Sequence, residues 1–182
     1  MRPRLRKPRP SASPGVADPL RDALWQIPRL LLIRLRSLGD AILTLPLVEA
    51  LHAWRTELQL DILIEAPYAP VFRGHPAIHE VLTLRPRNRT ASGGWSRLRA
   101  AVEIRKRRYP AALNLHGGTT SMLFTAIAGA KLRIGQKSHR GSQLYNAPIP
   151  SSGEIWQHPS IHTAEHQLSL MRWLELPLPS RP

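Results

Sequence analysis

Leu30-Leu31-Leu32-Ile33-Arg34-Leu35-Arg36-Ser37-Leu38-Gly39-Asp40-Ala41-Ile42-Leu43-Thr44-Leu45-Pro46 is the stretch on which the rest of the chain turns. Its apolar opening, bounded by turn residues, has the pattern of a strand covered on both faces. Arg36-Ser37-Leu38-Gly39 then reverses the chain, and Asp40 falls where a helix begins. In open α/β sheets, ligands collect beyond the carboxyl ends of the strands. A strand, a glycine turn and an aspartate in that order therefore predict a site.

Working outward, the N-terminal side is poor core material. Residues 1–28 carry Arg2, Arg4, Arg6, Lys7 and Arg9 among prolines, followed by a Ser-Ala-Ser-Pro-Gly run. Such a segment has little apolar surface to offset its ordering entropy, and it reads as a disordered basic, Pro-rich extension. The formal net charge is +14, from 26 Lys and Arg against 12 Asp and Glu, and seven of the cations lie in residues 1–29. The remaining excess points to anionic partners such as phosphates or acidic headgroups. There is no cysteine, which excludes disulfides and thiolate metal sites. No segment reaches the ~20 apolar residues that cross a bilayer. The basic N-terminus lacks a following apolar run, so it does not read as a secretory signal. The expected location is cytoplasmic, with peripheral contact at an anionic inner-membrane surface.

On the C-terminal side, Ala41 to Trp54 fits an amphipathic helix through Ile42, Leu45, Val48 and Leu51, capped by Asp40 or Ser37. Pro46 demands a bent first turn or a helix start a few residues later. Leu58–Glu65 and Val81–Leu84 read as strands. Trp95 to Arg108 resumes helical spacing through Leu98, Val102 and Ile104, and its terminal Arg105-Lys106-Arg107-Arg108 complements the helix dipole. Ala111–Leu115 is a fourth strand that feeds a second glycine turn, His116-Gly117-Gly118-Thr119-Thr120, and another helix. Leu132–Gly135 is a fifth strand, followed by a basic loop over 136–141, a short apolar stretch near 144–149, and a loop over 151–159. Thr163–Leu174 is a closing helix with Leu168, Met171 and Leu174 on one face. Strands alternating with helices predict an α/β, Rossmann-like, doubly wound and mostly parallel sheet over residues 29–176, with 177–182 linker-like.

These residues resemble a known family. Arg34-Leu35-Arg36-Ser37-Leu38-Gly39-Asp40 with Thr44-Leu45-Pro46 is similar to the opening motif of glycosyltransferase family 9, the ADP-heptose:lipopolysaccharide heptosyltransferases. Leu113-Asn114-Leu115-His116-Gly117, Leu132-Arg133-Ile134-Gly135 and His162-Thr163-Ala164-Glu165-His166-Gln167-Leu168 continue the resemblance. In the last of these, an arginine is commoner in the family where this chain has His166. The resemblance spans roughly residues 29–178 and implies the N-terminal half of a GT-B fold, two Rossmann-like domains facing across a cleft. It implies a Kdo-bearing lipid A or growing core as acceptor on this half. ADP-heptose is the implied donor, bound by a C-terminal domain that these residues do not include and that another chain could supply. No separate cofactor is implied.

The resemblance further implies that Asp40 is the general base, taking the acceptor hydroxyl proton in a single inverting displacement. An aspartate at a helix N-terminus stays ionised and ready to accept at neutral pH, and it also serves as an ordinary N-cap. Gly39, Gly117 and Gly118 allow close backbone approach to an acceptor or plain turn geometry, and the spacing is neither a dinucleotide fingerprint nor a P-loop. Ser37 is placed to hydrogen-bond an acceptor sugar or its own turn. Lys137, His139 and Arg140 lie where acceptor carboxylates or phosphates would meet them, and also where a solvated loop is expected. His158, His162 and His166 repeat every fourth residue, as do His75 and His79. Prolines interrupt both sets, and no metal site is expected. Two rival readings remain. One is a non-catalytic acceptor-binding module. The other is a nucleic-acid binder, disfavoured because aromatics do not interleave with the basic runs.

Overall fold

A computed structural model of the chain describes residues 18–86, 91–157 and 161–178. At its centre is β1 (Arg29–Ile33), whose four residues from Leu30 to Ile33 are completely buried. Because side chains alternate along a strand, this run feeds two cores at once. Leu30 and Leu32 pack with Leu60, Ile62 and Ile64 of β2 (Gln59–Glu65) under Leu47, Val48 and Leu51 of α3 (Leu45–Trp54) and Met171 of α7 (Thr163–Trp173). Leu31 and Ile33 face the other layer, with Ile104 of α4 (Ala91–Lys106) and Phe124 of α5 (Thr119–Ile127).

The remaining strands are β3 (Ile78–Leu84), β4 (Ala111–Asn114), β5 (Leu132–Gln136) and β6 (Ala147–Ile149). The sheet runs β3-β2-β1-β4-β5-β6 with every pairing parallel. This is the Rossmann-like, doubly wound arrangement the sequence predicts. The chain winds outward from β1 to β3 and then returns to lay β4 on the free side of β1. The crevice between the carboxyl ends of β1 and β4 is thus the topological switch point, where such folds bind ligands.

Several local expectations need correction. The extension does not reach residue 28, because Asp18–Gln26 forms α1. Leu24 is buried in the core, and the Trp25 ring meets that of Trp54 edge-on at 5.3 Å. Arg55 fastens the helix end by donating to the carbonyl of Ile27 at 2.6 Å. The single helix expected over 41–54 is two, α2 (Leu38–Ile42) and α3, with Pro46 seated in the first turn of α3 where its missing N–H costs nothing. Residues expected as loop after β6 include α6 (Ser152–Trp156), whose N-cap Ser151 and Glu154 form a capping box. Leu98 and Val102 do not share the buried face with Ile104. They are 54% and 47% exposed, and Ala101 takes the inner position instead. Past α7, Leu176 is buried and Leu178 packs against the same core.

Candidate functional site

The cleft at the switch point has a volume of about 250 Å³. Arg34 and Asp40 line it from the β1 side, Asn114 to Gly117 from β4, Gln136, Ser138 and His139 from β5, and Thr163, His166 and Gln167 from α7. Arg34 leaves the end of β1 and is buried. Its guanidinium donates to the Leu115 carbonyl and, from Nη2, to Asp40 Oδ1 at 2.5 Å. Burial lowers the Arg34 pKa, and the Asp40 carboxylate partly restores it. The other carboxylate oxygen accepts from the Ser37 backbone N–H at 3.1 Å and lies 3.4 Å from its hydroxyl. Asp40 is therefore the third residue of α2, closing a capping box on N-cap Ser37, and its side chain is still 31% exposed. Of the two N-caps open in the sequence, Ser37 is the one used, and Asp40 stands at the third helical position as its reciprocal partner rather than as the cap.

The second glycine turn stands opposite. Gly117 has φ +68, and a Cβ there would lie 2.9 Å from His139 Cδ2. Gly118 caps α5, and a Cβ on it would come within 3.1 Å of His116 Cδ2. The left-handed backbone at Gly117 calls for glycine, and imidazoles press on both positions of the turn. Gly39, by contrast, has open space around it. Lys137 and Arg140 are exposed in the turn after β5 and do not line the cleft. Ser138 and His139 between them do.

A polar network unrecognised in the sequence braces the far wall. Asn114 donates to the Tyr145 hydroxyl at 2.8 Å and accepts the His116 backbone N–H at 3.0 Å. The Tyr145 hydroxyl in turn lies 3.2 Å from His139 Nδ1. Burial pushes the Tyr145 hydroxyl up to about 12. Burial, reinforced by His166, His116 and Arg34, pushes His139 down to about 4. His166 and His116 are lowered for the same first reason. The cleft histidines are thus neutral at pH 7, leaving Arg34 as the buried cation. His166 pairs with the Ser152 hydroxyl, which also accepts from Gln136 Nε2 at 2.7 Å and from Ser169 at 2.8 Å. Two buried polar atoms in the cleft walls, Arg34 Nε and Gln167 Oε1, have no hydrogen-bond partner among the described residues. Buried polar groups are nearly always paired, so these two mark hydrogen-bonding capacity in the walls that the described residues leave unused.

Among the described residues the histidine repeats do not assemble as sets. His158 lies outside the described residues. His162 caps α7 by accepting the Ala164 N–H at 3.2 Å. His75 accepts the Ala77 N–H, whereas His79 pairs with Asp61.

The fold is shared with solved structures. The chain superposes on E. coli heptosyltransferase WaaC with ADP-2-deoxy-2-fluoro heptose at a TM-score of 0.70 and 19% identity, covering 85% of this chain and 50% of that one. It matches the glycosyl transferase family 9 structure from Veillonella parvula DSM 2008 at 0.69 and 20%, over 82% and 41% of the two chains. It matches E. coli ADP-heptose lps heptosyltransferase II at 0.60 and 20%, over 81% and 39%. The fold is therefore a Rossmann-like half of the kind GT-B glycosyltransferases carry, as the sequence resemblance implies. The chain spans about half the length of the structures it matches, or less. No protein-family model matches the sequence, and no curated protein matches it significantly.

Proposed function

We propose that this chain is the acceptor-side domain of a heptosyltransferase-type glycosyltransferase, transferring a sugar from ADP-heptose to a lipopolysaccharide inner-core acceptor with inversion. The donor-binding half comes from polypeptide outside these 182 residues or from another chain. The observation that carries the reading is Asp40, half-buried on the cleft wall at the switch point and anchored by Arg34.

In the reaction, the acceptor hydroxyl oxygen bonds to the anomeric carbon as the bond to the ADP phosphate oxygen breaks. Its proton passes to the Asp40 carboxylate. Arg34 and the Ser37 N–H fix that carboxylate in orientation, and an aspartate carboxylate is a weak base. Proton transfer then accompanies bond formation rather than preceding it. The guanidinium of Arg34 and the glycine turn at Gly117-Gly118 supply positive charge and backbone approach for an anionic sugar such as Kdo, while Lys137 and Arg140 stand outside the cleft lining on the exposed turn after β5.

The test is heptosyl transfer to a Kdo-bearing lipid A by the chain reconstituted with a donor half. Asp40→Asn keeps shape and one of the two hydrogen bonds but removes the base, and it lowers kcat by ~10²-fold or more. An unchanged rate takes Asp40 out of the chemistry. It would then favour a second reading, a non-catalytic acceptor binder, to which the engagement of both Asp40 oxygens already lends support.

A further inference from the structure

The α4 helix is held to the sheet by one face and bare on the other. Ala101 and Ile104 enter the core, and Arg97 reaches Glu65 at the end of β2 at 3.2 Å. On the outer side, Trp95, Leu98 and Val102 are 68%, 54% and 47% exposed. Their spacing, one turn and then another, aligns them in a single stripe. Three large apolar side chains in one exposed row are a surface that awaits a partner.

Charge decides which partner. The stripe lies in an open groove that Arg85, Arg99 and Lys106 also line. Over its 16 residues α4 carries Arg97, Arg99, Arg105 and Lys106 against one acid, Glu103. A second copy of this chain, docked symmetrically, would bring these cations against themselves, which is unfavourable. An anionic bilayer offers the complement to every part. Tryptophan favours the headgroup level, leucine and valine enter the acyl boundary, and arginine and lysine meet lipid phosphates.

We infer that α4 docks this protein on an anionic membrane surface through Trp95, Leu98 and Val102, with Arg85, Arg99 and Lys106 pairing to lipid phosphates. The placement suits a headgroup-borne substrate. Arg97 shares a pocket of about 110 Å³ with Arg36 and His116, and His116 also lines the switch-point cleft. The docking itself is independent of which sugar, if any, is transferred.

Flotation with vesicles of equimolar phosphatidylglycerol and phosphatidylcholine, against phosphatidylcholine alone, tests it on the full chain. Binding is expected to the anionic vesicles only and to weaken with salt. Leu98→Ser with Val102→Ser, both at exposed positions, lowers partitioning at least about tenfold. Brominated lipids quench tryptophan fluorescence in the wild type, and that quenching is reduced in Trp95→Phe. Equal vesicle binding by the double variant overturns the proposal, because the basic residues near the N-terminus would then account for the affinity. Quenching unchanged in Trp95→Phe overturns it as well. So does the absence of vesicle binding alongside self-association that the double variant abolishes, which assigns the stripe to a second copy.

Discussion

Each end of the central sheet holds an aspartate bound to an arginine, and the two pairs are built for different ends. At the carboxyl end, Asp40 meets Arg34 at 2.5 Å and still faces the cleft. At the amino end, Asp61 of β2 is wholly buried. It meets Arg29 at 2.5 Å and His79 at 2.9 Å, and it accepts the Tyr109 hydroxyl. Arg29 passes on to Glu80 at 3.1 Å, and Glu80 also binds Arg107. This network links the starts of β1, β2 and β3 to the approach to β4. Asp61, His79 and Glu80 also come close enough together to hold a cation, but Arg29 and Arg107 already supply the positive charge there. A charge whose partners enclose it serves the fold, whereas one left with an open side is available to a ligand.

The largest effect expected from this contrast is on stability. Asp61→Ala leaves the Tyr109 hydroxyl unpaired in the interior and leaves Arg29 with Glu80 alone, and it should cost ~3 kcal/mol or more by urea denaturation. Asp40→Asn should cost less, ~1–2 kcal/mol, because the amide oxygen keeps one of the two hydrogen bonds and the Leu115 carbonyl still meets the buried Arg34. Comparable losses from the two would erase the distinction between a structural and a functional pair. Gly117→Ala comes next. It forces a side chain into the left-handed region and toward His139, for a loss of ~1–2 kcal/mol or more by the same measurement.

Acid should separate the two ends by pH window. His139 titrates at about 4 in the fold against about 6.5 when unfolded, so the unfolded chain binds the extra proton between those values. The stability this contributes is whole above about 6.5 and is lost as pH falls toward 4. Glu80 runs at lower pH. Its bond to Arg107 depresses its pKa, so its contribution is present above the ordinary glutamate value and is lost as pH falls below it. Denaturation midpoints measured across pH should show a shallower slope between 6.5 and 4 in His139→Gln and a shallower slope only at lower pH in Glu80→Gln. A His139→Gln profile parallel to wild type would mean that the imidazole is not buried against the cleft wall.

What the sequence made legible was local. The run from Leu30 to Asp40 and the turn at Gly117-Gly118 are each contiguous, so strand, turn and helix start could be read from spacing, and with them the parallel sheet and its switch point. Pro46 announced the break between α2 and α3 for the same reason. Long-range partners were not legible. Asp61 sits inside a strand pattern that gives no sign of Arg29, His79 and Tyr109 converging on it from three other segments. Asn114 and Tyr145 are 31 residues apart and meet because β5 lies beside β4 and the Tyr145 ring packs over Gly135 of β5. Helical spacing grouped Leu98 with Ile104 because both belong to one periodic run, yet only the packing of α4 on the sheet decides which side faces in. Helix α1 was hidden by its neighbours: Leu20, Leu24 and Ile27 recur at helical spacing, but the basic, proline-rich residues before them dominated the composition.

The smallest expected effect on stability belongs to Gln167, and it sharpens the contrast most. Its Oε1 is buried on the cleft wall without a partner among the described residues, a state that already carries its desolvation cost. Gln167→Leu removes that unpaired acceptor at similar volume, so it should leave stability unchanged or raise it by ~1 kcal/mol. If the oxygen is kept for a ligand hydroxyl, the same substitution should weaken binding of a Kdo-bearing acceptor, read by calorimetric titration, by about tenfold. A loss of stability with unchanged acceptor binding would place Gln167 with Asp61, among the groups whose polarity serves the fold.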